Sequence, residues 1–264
     1  MSQINNDEIL NVAVEASLAA SNSIMEAVSL PRVSNFKGKT DLVTKTDIES
    51  ERIIKSIIRS SFKDHSILAE ETDNELTDSD YLWIIDPLDG TTNFVHGYPS
   101  FAISIGVYWK NNPLVGIVLE MPNLKLYTAI KGEGAFCEGE KIESSDTKTL
   151  DLSLLVTGFG YDHENNWNTN MELFKHFTDI TQGVRRLGAA SVDICHVACG
   201  KVDGFWEYDL KPWDTAAGIL IAQESGCMIT DIRGNDFRLE SDNILITNRH
   251  IHDEFLEQAI AYLN

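Results

Sequence analysis

The sequence predicts a layered α/β protein. Three observations carry that expectation. The N-terminal region has apolar residues at helical spacing. Short β-branched runs split by Gly, Pro and Asn follow it. In the second half, helices and strands then alternate.

Residues 7–28 place Ile9, Val12, Ala13, Ala16, Ala20, Ile24 and Val28 on one helical face, and Pro31 stops that helix. A second helix is expected over 44–62, with Ile53, Ile54, Ile57 and Ile58 marking its buried side. The period then changes. Segments 66–69, 81–86, 102–108, 114–120 and 125–130 read as strands. In the second half, strands at 154–157, 204–207, 228–231 and 244–247 are interleaved with helices at 171–177, 189–199, 215–225 and 251–263. There is no repeat and no low-complexity tract. A weak seam at 147–151 splits a single domain into an N-terminal lobe, 1–147, and a C-terminal lobe, 148–264.

Charge narrows the function. Against 21 Lys and Arg stand 41 Asp and Glu, a formal net charge of −20. Such a surface repels nucleic acid and anionic lipid, so neither is expected as a partner. A phosphorylated substrate would need cations to bridge it to the protein. The stretch 64–80 holds seven acids and no Lys or Arg, and most of those acids read as solvated loop charges. Four cysteines are too few and too scattered for a disulfide framework. Cys195-His196-x-x-Cys199 has helical zinc spacing, but its neighbours Ile194, Val197 and Ala198 favour a buried helix face. The first basic residue is Arg32, and no apolar run nears the ~20 residues of a membrane span. The expected location is the cytoplasm.

The sharpest segment is Trp83-Ile84-Ile85-Asp86-Pro87-Leu88-Asp89-Gly90-Thr91-Thr92-Asn93-Phe94. An apolar strand delivers Asp86, Pro87 is expected to force a turn, and Asp89 emerges beside Gly90. Two carboxylates with the Leu88 carbonyl between them make an all-oxygen site suited to Mg²⁺. Gly90, Thr91 and Thr92 offer N–H groups and hydroxyls to a phosphate, as a helix N-terminus does. Elsewhere, Glu70-Glu71 ends a strand, Asp214 starts a predicted helix and Asp47 lies early in the second helix. Helix capping or dipole compensation is the favoured reading of Asp214 and of Asp47 when each is taken alone.

Four ordered segments together resemble the inositol monophosphatase family of lithium-sensitive, Mg²⁺-dependent phosphatases. They are Asp41 to Asp47, Ala69-Glu70-Glu71, Trp83 to Phe94, and Trp213-Asp214-Thr215-Ala216-Ala217-Gly218, and the match spans essentially the whole chain. The resemblance implies an α-β-α-β-α sandwich, the fold shared with fructose-1,6-bisphosphatase-like sugar phosphatases. It implies Glu70, Asp86 and the Leu88 carbonyl as ligands of one Mg²⁺, and Asp86, Asp89 and Asp214 as ligands of a second. Glu70 would also hold a weaker third ion with the attacking water. Thr91 would orient that water, backed by Asp47, with no phosphoenzyme. Gly90 and Thr91 would contact phosphate, while Glu207, Asp89 and the Ala190 backbone would hold inositol hydroxyls. The implied reaction is hydrolysis of inositol 1-phosphate by a cytoplasmic homodimer. Fructose 1,6-bisphosphate is the alternative substrate, and a regulatory protein with residual phosphatase activity is the alternative class. The run Thr157-Gly158-Phe159 and the pair Arg185-Arg186 are similar to bacterial members; the arginines would serve a second phosphate, a subunit contact or a surface salt bridge.

Overall fold

The computed structural model describes residues 5–28, 34–36, 42–160 and 165–263. Pro31 and Asp41 lie outside them.

Helix α1 (Asn6–Val28) and helix α2 (Lys45–Ser61) flank a short hairpin, β1 (Ser34–Phe36) with β2 (Leu42–Thr44). The chain then enters a seven-stranded sheet: β3 (Ser66–Ala69), β4 (Tyr81–Asp89), β5 (Phe101–Trp109), β6 (Asn112–Met121), β7 (Lys125–Ile130), β8 (Gly134–Cys137) and β9 (Glu140–Lys141). Spatial order follows chain order. Only the β3–β4 pair is parallel; the rest is an antiparallel meander, interrupted between β4 and β5 by the short helix α3 (Thr91–His96).

A 3₁₀ turn at Leu150–Leu152 leads to β10 (Leu155–Thr157), α4 (Asn165–Ile180), β11 (Val184–Arg185), α5 (Ala190–Ala198), β12 (Gly204–Tyr208), α6 (Pro212–Glu224), β13 (Met228–Thr230), β14 (Asn243–Thr247) and α7 (His252–Leu263). Its strands form a second sheet in the order β11-β10-β12-β14-β13, parallel on the first side of β12 and antiparallel on the other.

The layers follow from period-two alternation along the strands. In β5, Phe101, Ile103, Ile105 and Val107 join a core with α1 and α2, while Ala102 points the other way, towards α5 and α6. In β6, Val115, Ile117, Leu119 and Met121 repeat the first pattern, and Val118 the second. Helices α5 and α6 bury their far sides on the second sheet, and α4 and α7 cover its outer face around Phe177, Trp206 and Phe255. The result is the expected α-β-α-β-α sandwich. No helix among the described residues is long and apolar enough to cross a membrane.

Some elements differ from the sequence expectation. The helix expected over 171–177 runs from Asn165 to Ile180. Its buried residues are Asn170, Leu173 and Phe177, so a polar residue on the inner face hides the apolar period. Strands β8, β9 and β11 are two to four residues long, too short to show a period, and exist through their ladder partners.

Helix α6 lies closer to the first sheet than ordinary side chains allow. A Cβ on Gly116 would sit 2.6 Å from the Ala217 carbonyl oxygen, and one on Gly106 would sit 2.8 Å from the Ala216 carbonyl carbon. Backbone cannot swing aside as a side-chain tip can. Gly116→Ala is therefore expected to destabilise the protein by about 1–3 kcal/mol, the usual range for overpacking a core. A denaturation midpoint equal to that of the unsubstituted protein would show that α6 does not pack this tightly.

Candidate active site

The site grows from the end of β4. Trp83, Ile84 and Ile85 are buried on both faces and anchor the strand. The expected turn at Pro87 is instead a bulge within a strand that continues to Asp89. Asp86 pairs with Ser104 and Asp89 with Ala102, so three steps on β4 match two on β5. Pro87 has no N–H to give the ladder, which is why the extra residue falls here. The Leu88 N–H donates to Asp86 Oδ1 at 3.0 Å, and the Ser50 hydroxyl on α2 donates to the Pro87 carbonyl at 2.8 Å. Gly90 follows with φ +85° and starts α3; a Cβ there would lie 3.0 Å from the Ser100 carbonyl oxygen. Glycine is needed for both its conformation and its close approach.

Asp47 is shared between two tasks. Its Oδ2 accepts the Thr44 N–H at 2.9 Å and the Thr44 hydroxyl, completing the capping box of α2. Its Oδ1 accepts the Thr91 hydroxyl at 2.8 Å. One carboxylate thus both caps α2 and orients Thr91. Asp214 is similar: its Oδ2 accepts the Lys211 N–H at 2.6 Å across the first turn of α6. Asp89 is held from the opposite side, where the Ser191 N–H and hydroxyl donate to its Oδ2 at 2.8 and 2.5 Å. Glu70 follows β3 and donates its N–H to the Ile85 carbonyl at 3.3 Å, which carries the parallel pairing on towards Asp86.

Burial and like charge dominate the electrostatics. Asp86 is 1% exposed; burial first, then the charges of Glu70, Asp89 and Asp214, push its carboxyl well above the ordinary range. Burial raises Asp89 to about 6, against the opposing Ser191 hydrogen bonds. Asp214 rises through burial and the charge of Asp89. Glu207, buried on β12, rises through burial and the charge of Asp214, with Arg186 acting the other way. Burial also raises Asp47, opposed by Thr44 and Thr91.

Glu70, Asp86, Asp89 and Asp214 therefore interact strongly. Even so, no three His, Cys, Asp or Glu among the described residues are already gathered around one point to hold an ion. An oxygen-only set with several negative charges suits a hard divalent cation, and the Leu88 carbonyl adds a neutral oxygen. The set fits Mg²⁺ in composition.

Three side chains here escape sequence reading. Ser191 holds Asp89. Asn93 donates to the Ser100 and Leu187 carbonyls, each at 2.7 Å, and so ties α3 to the loop before α5. Asp193 is buried with neither carboxylate oxygen hydrogen-bonded. A serine or asparagine in an apolar context carries no sequence signal of its own; only the fold selects these. Arg185 and Arg186 make no ion pair among the described residues, so the surface salt bridge is not found. Arg186 lies back over Gly188, its Nη1 2.5 Å from where a Cβ would stand.

One pH prediction follows. Asp89's folded value of about 6 lies above its ordinary 3.8, so holding it as an anion weakens folding. That loss is absent below about pH 4, grows between about pH 4 and 6, and is fully present above about 6. In chelator at neutral pH, Asp89→Asn should melt at or above the unsubstituted protein, with the gap closing near pH 4. A lower melting temperature at neutral pH would show that the Ser191 hydrogen bonds outweigh the repulsion.

Comparison with known proteins places the chain in a family. The family model described as "Inositol monophosphatase family" matches residues 5–263. The chain is 48% identical to phosphatase IMPL1, chloroplastic, of Arabidopsis thaliana, over 95% of this chain and 69% of that one. It is 38% identical to the Nus factor SuhB of Pseudomonas aeruginosa, over 91% of each. Among solved structures, inositol monophosphatase from Anabaena aligns with a TM-score of 0.88 at 40% identity, covering 98% of this chain and 97% of that one. The chain belongs to the inositol monophosphatase family.

Proposed function

We propose that the protein is a Mg²⁺-dependent phosphatase that hydrolyses monoesters of small polyols, with inositol 1-phosphate as its substrate. The carrying observation is the Thr91–Asp47 hydrogen bond at the edge of a buried carboxylate set. Thr91 has one hydroxyl proton, with Asp47 Oδ1 at 2.8 Å and the Leu88 carbonyl at 3.1 Å as acceptors. The carboxylate is the stronger acceptor. With that proton committed, the Thr91 oxygen keeps a lone pair to accept a hydrogen bond from water. Water held there points its own lone pair at phosphorus. As its oxygen bonds to phosphorus and the ester P–O bond breaks, its proton passes to Thr91 Oγ1 while the Thr91 proton passes to Asp47 Oδ1. The leaving polyol oxygen takes a proton from solvent.

Mg²⁺ held by Glu70, Asp86, Asp89, Asp214 and the Leu88 carbonyl would supply charge neutralisation and Lewis acidity. The Gly90 and Thr91 N–H groups at the start of α3 would meet the phosphate oxygens. On the polyol side, Glu207 is buried, and among the described residues nothing donates a hydrogen bond to its carboxylate. That leaves its oxygens free to accept from ring hydroxyls, beside Asp89 and Ala190. Family membership supports a cytoplasmic homodimer as the working form.

A second reading is a regulatory interaction protein with residual activity; the name of the Pseudomonas relative favours it. The complete donor set favours catalysis. Phosphate release should therefore require Mg²⁺, and it should proceed faster on inositol 1-phosphate than on fructose 1,6-bisphosphate. No Mg²⁺-dependent release on either ester would support the regulatory reading.

Residue roles separate by kinetics. Thr91→Ala should lower kcat by about 100-fold or more while Mg²⁺ affinity by calorimetry stays close to unchanged, because Thr91 positions water and supplies no ligand. Loss of Mg²⁺ affinity in step with turnover would assign Thr91 to the cation instead. Glu207→Ala should raise KM for inositol 1-phosphate far more than for p-nitrophenyl phosphate, which has no ring hydroxyls. Equal losses on the two esters would make Glu207 structural.

A further inference from the structure

Gly158 follows β10 and is buried. A Cβ built there would lie 2.2 Å from Glu207 Oε1, 2.1 Å from Oε2 and 2.3 Å from Cδ. The whole carboxylate rests on the bare Cα. Backbone conformation does not ask for glycine here, because Gly158 is not among the positive-φ glycines. Space is the remaining reason.

The wall carrying Gly158 is fixed. Asn170 donates to the Gly158 carbonyl at 2.5 Å and accepts the Trp206 indole N–H at 2.5 Å, while the Thr157 hydroxyl donates to the Trp206 carbonyl at 2.6 Å. Trp206 immediately precedes Glu207 and pairs with Thr157 in the parallel ladder. These bonds lock the peptide of residue 158 to the strand that carries Glu207, so the backbone has no route of retreat. The only atoms able to move are the last three of a Glu side chain. A side chain at 158 would turn the Glu207 carboxylate out of its place and leave the fold standing.

We propose that Gly158 is a specificity-determining residue: its missing side chain sets where the Glu207 carboxylate sits, and so which polyol hydroxyls it meets. This rests on the reading of Glu207 as the acceptor for substrate hydroxyls and names what places that acceptor. Gly158 acts through Glu207 and is a positioning residue.

The test is a double-mutant cycle of Gly158→Ala and Glu207→Ala, read as KM for inositol 1-phosphate relative to KM for p-nitrophenyl phosphate. Each single variant should raise that ratio by about tenfold, the loss expected of a hydrogen bond to a charged group. The double variant should be no worse than Glu207→Ala, since no carboxylate is left to displace. If Glu207→Ala shifts the ratio and Gly158→Ala does not, or if the two losses multiply, the role of Gly158 is overturned and the reading of Glu207 stands. If Glu207→Ala leaves the ratio unchanged, that reading falls and takes this one with it. Should Gly158→Ala fold poorly, recovery of the melting temperature in the double variant confirms that the collision is with Glu207. Failure to recover overturns the proposal.

Discussion

Like charge inside a folded core is the constraint that organises this molecule. Burial raises the proton affinity of Asp86, Asp89 and Asp214, and the charge of Glu70 raises each further. Such a set holds its place only if the backbone grips it. It does so by committing an oxygen of each of three aspartates to a main-chain N–H: Asp86 to Leu88, Asp89 to Ser191 and Asp214 to Lys211. Two of these bonds are local, and the third ties the end of β4 to the start of α5, 102 residues away.

The two sheets meet through α5 and α6, and the small residues decide how closely. Gly106 and Gly116 let the α6 backbone touch β5 and β6, while Ala102 leaves room on the same face. This contact sets the height of the first turn of α6 above the β4 bulge. Asp214, in that turn, reaches the pocket through its position and not through a long side chain. The same economy recurs at Gly90, which presses the start of α3 against Ser100 and Ala189.

Much of this was legible in the sequence because it rests on local pattern. Apolar alternation marks the central strands, and the Asp86–Phe94 run carries its carboxylates and glycine within a few residues. The bulge was misread as a turn because Pro87 signals only that a ladder bond is missing; whether the strand resumes depends on β5. Asp47 and Asp214 were open between cap and site. On Asp47 one oxygen caps α2 and the other accepts the Thr91 hydroxyl, so capping does not exclude the proposed site role. Ser191, Asn93 and Gly158 stayed hidden for another reason. Their partners lie 102, 94 and 49 residues away, and no local pattern encodes such a meeting.

The net charge of −20 takes on a sharper meaning in this light. Most of the acids lie on the surface and are screened beyond about 10 Å at ordinary ionic strength. The buried ones are not. At ~4 Å and an effective dielectric of ~20, a like-charged pair repels by about 4 kcal/mol, an upper bound that proton uptake relieves. Several such terms are comparable with the entire ~5–15 kcal/mol stability of a typical domain. The fold must therefore be strong elsewhere, which the three-helix-layer, two-sheet core provides. It also means that any cation entering the pocket removes repulsion as well as adding bonds, so binding and folding reinforce each other. On the proposed function, a divalent ion and the phosphate it bridges would relax this repulsion.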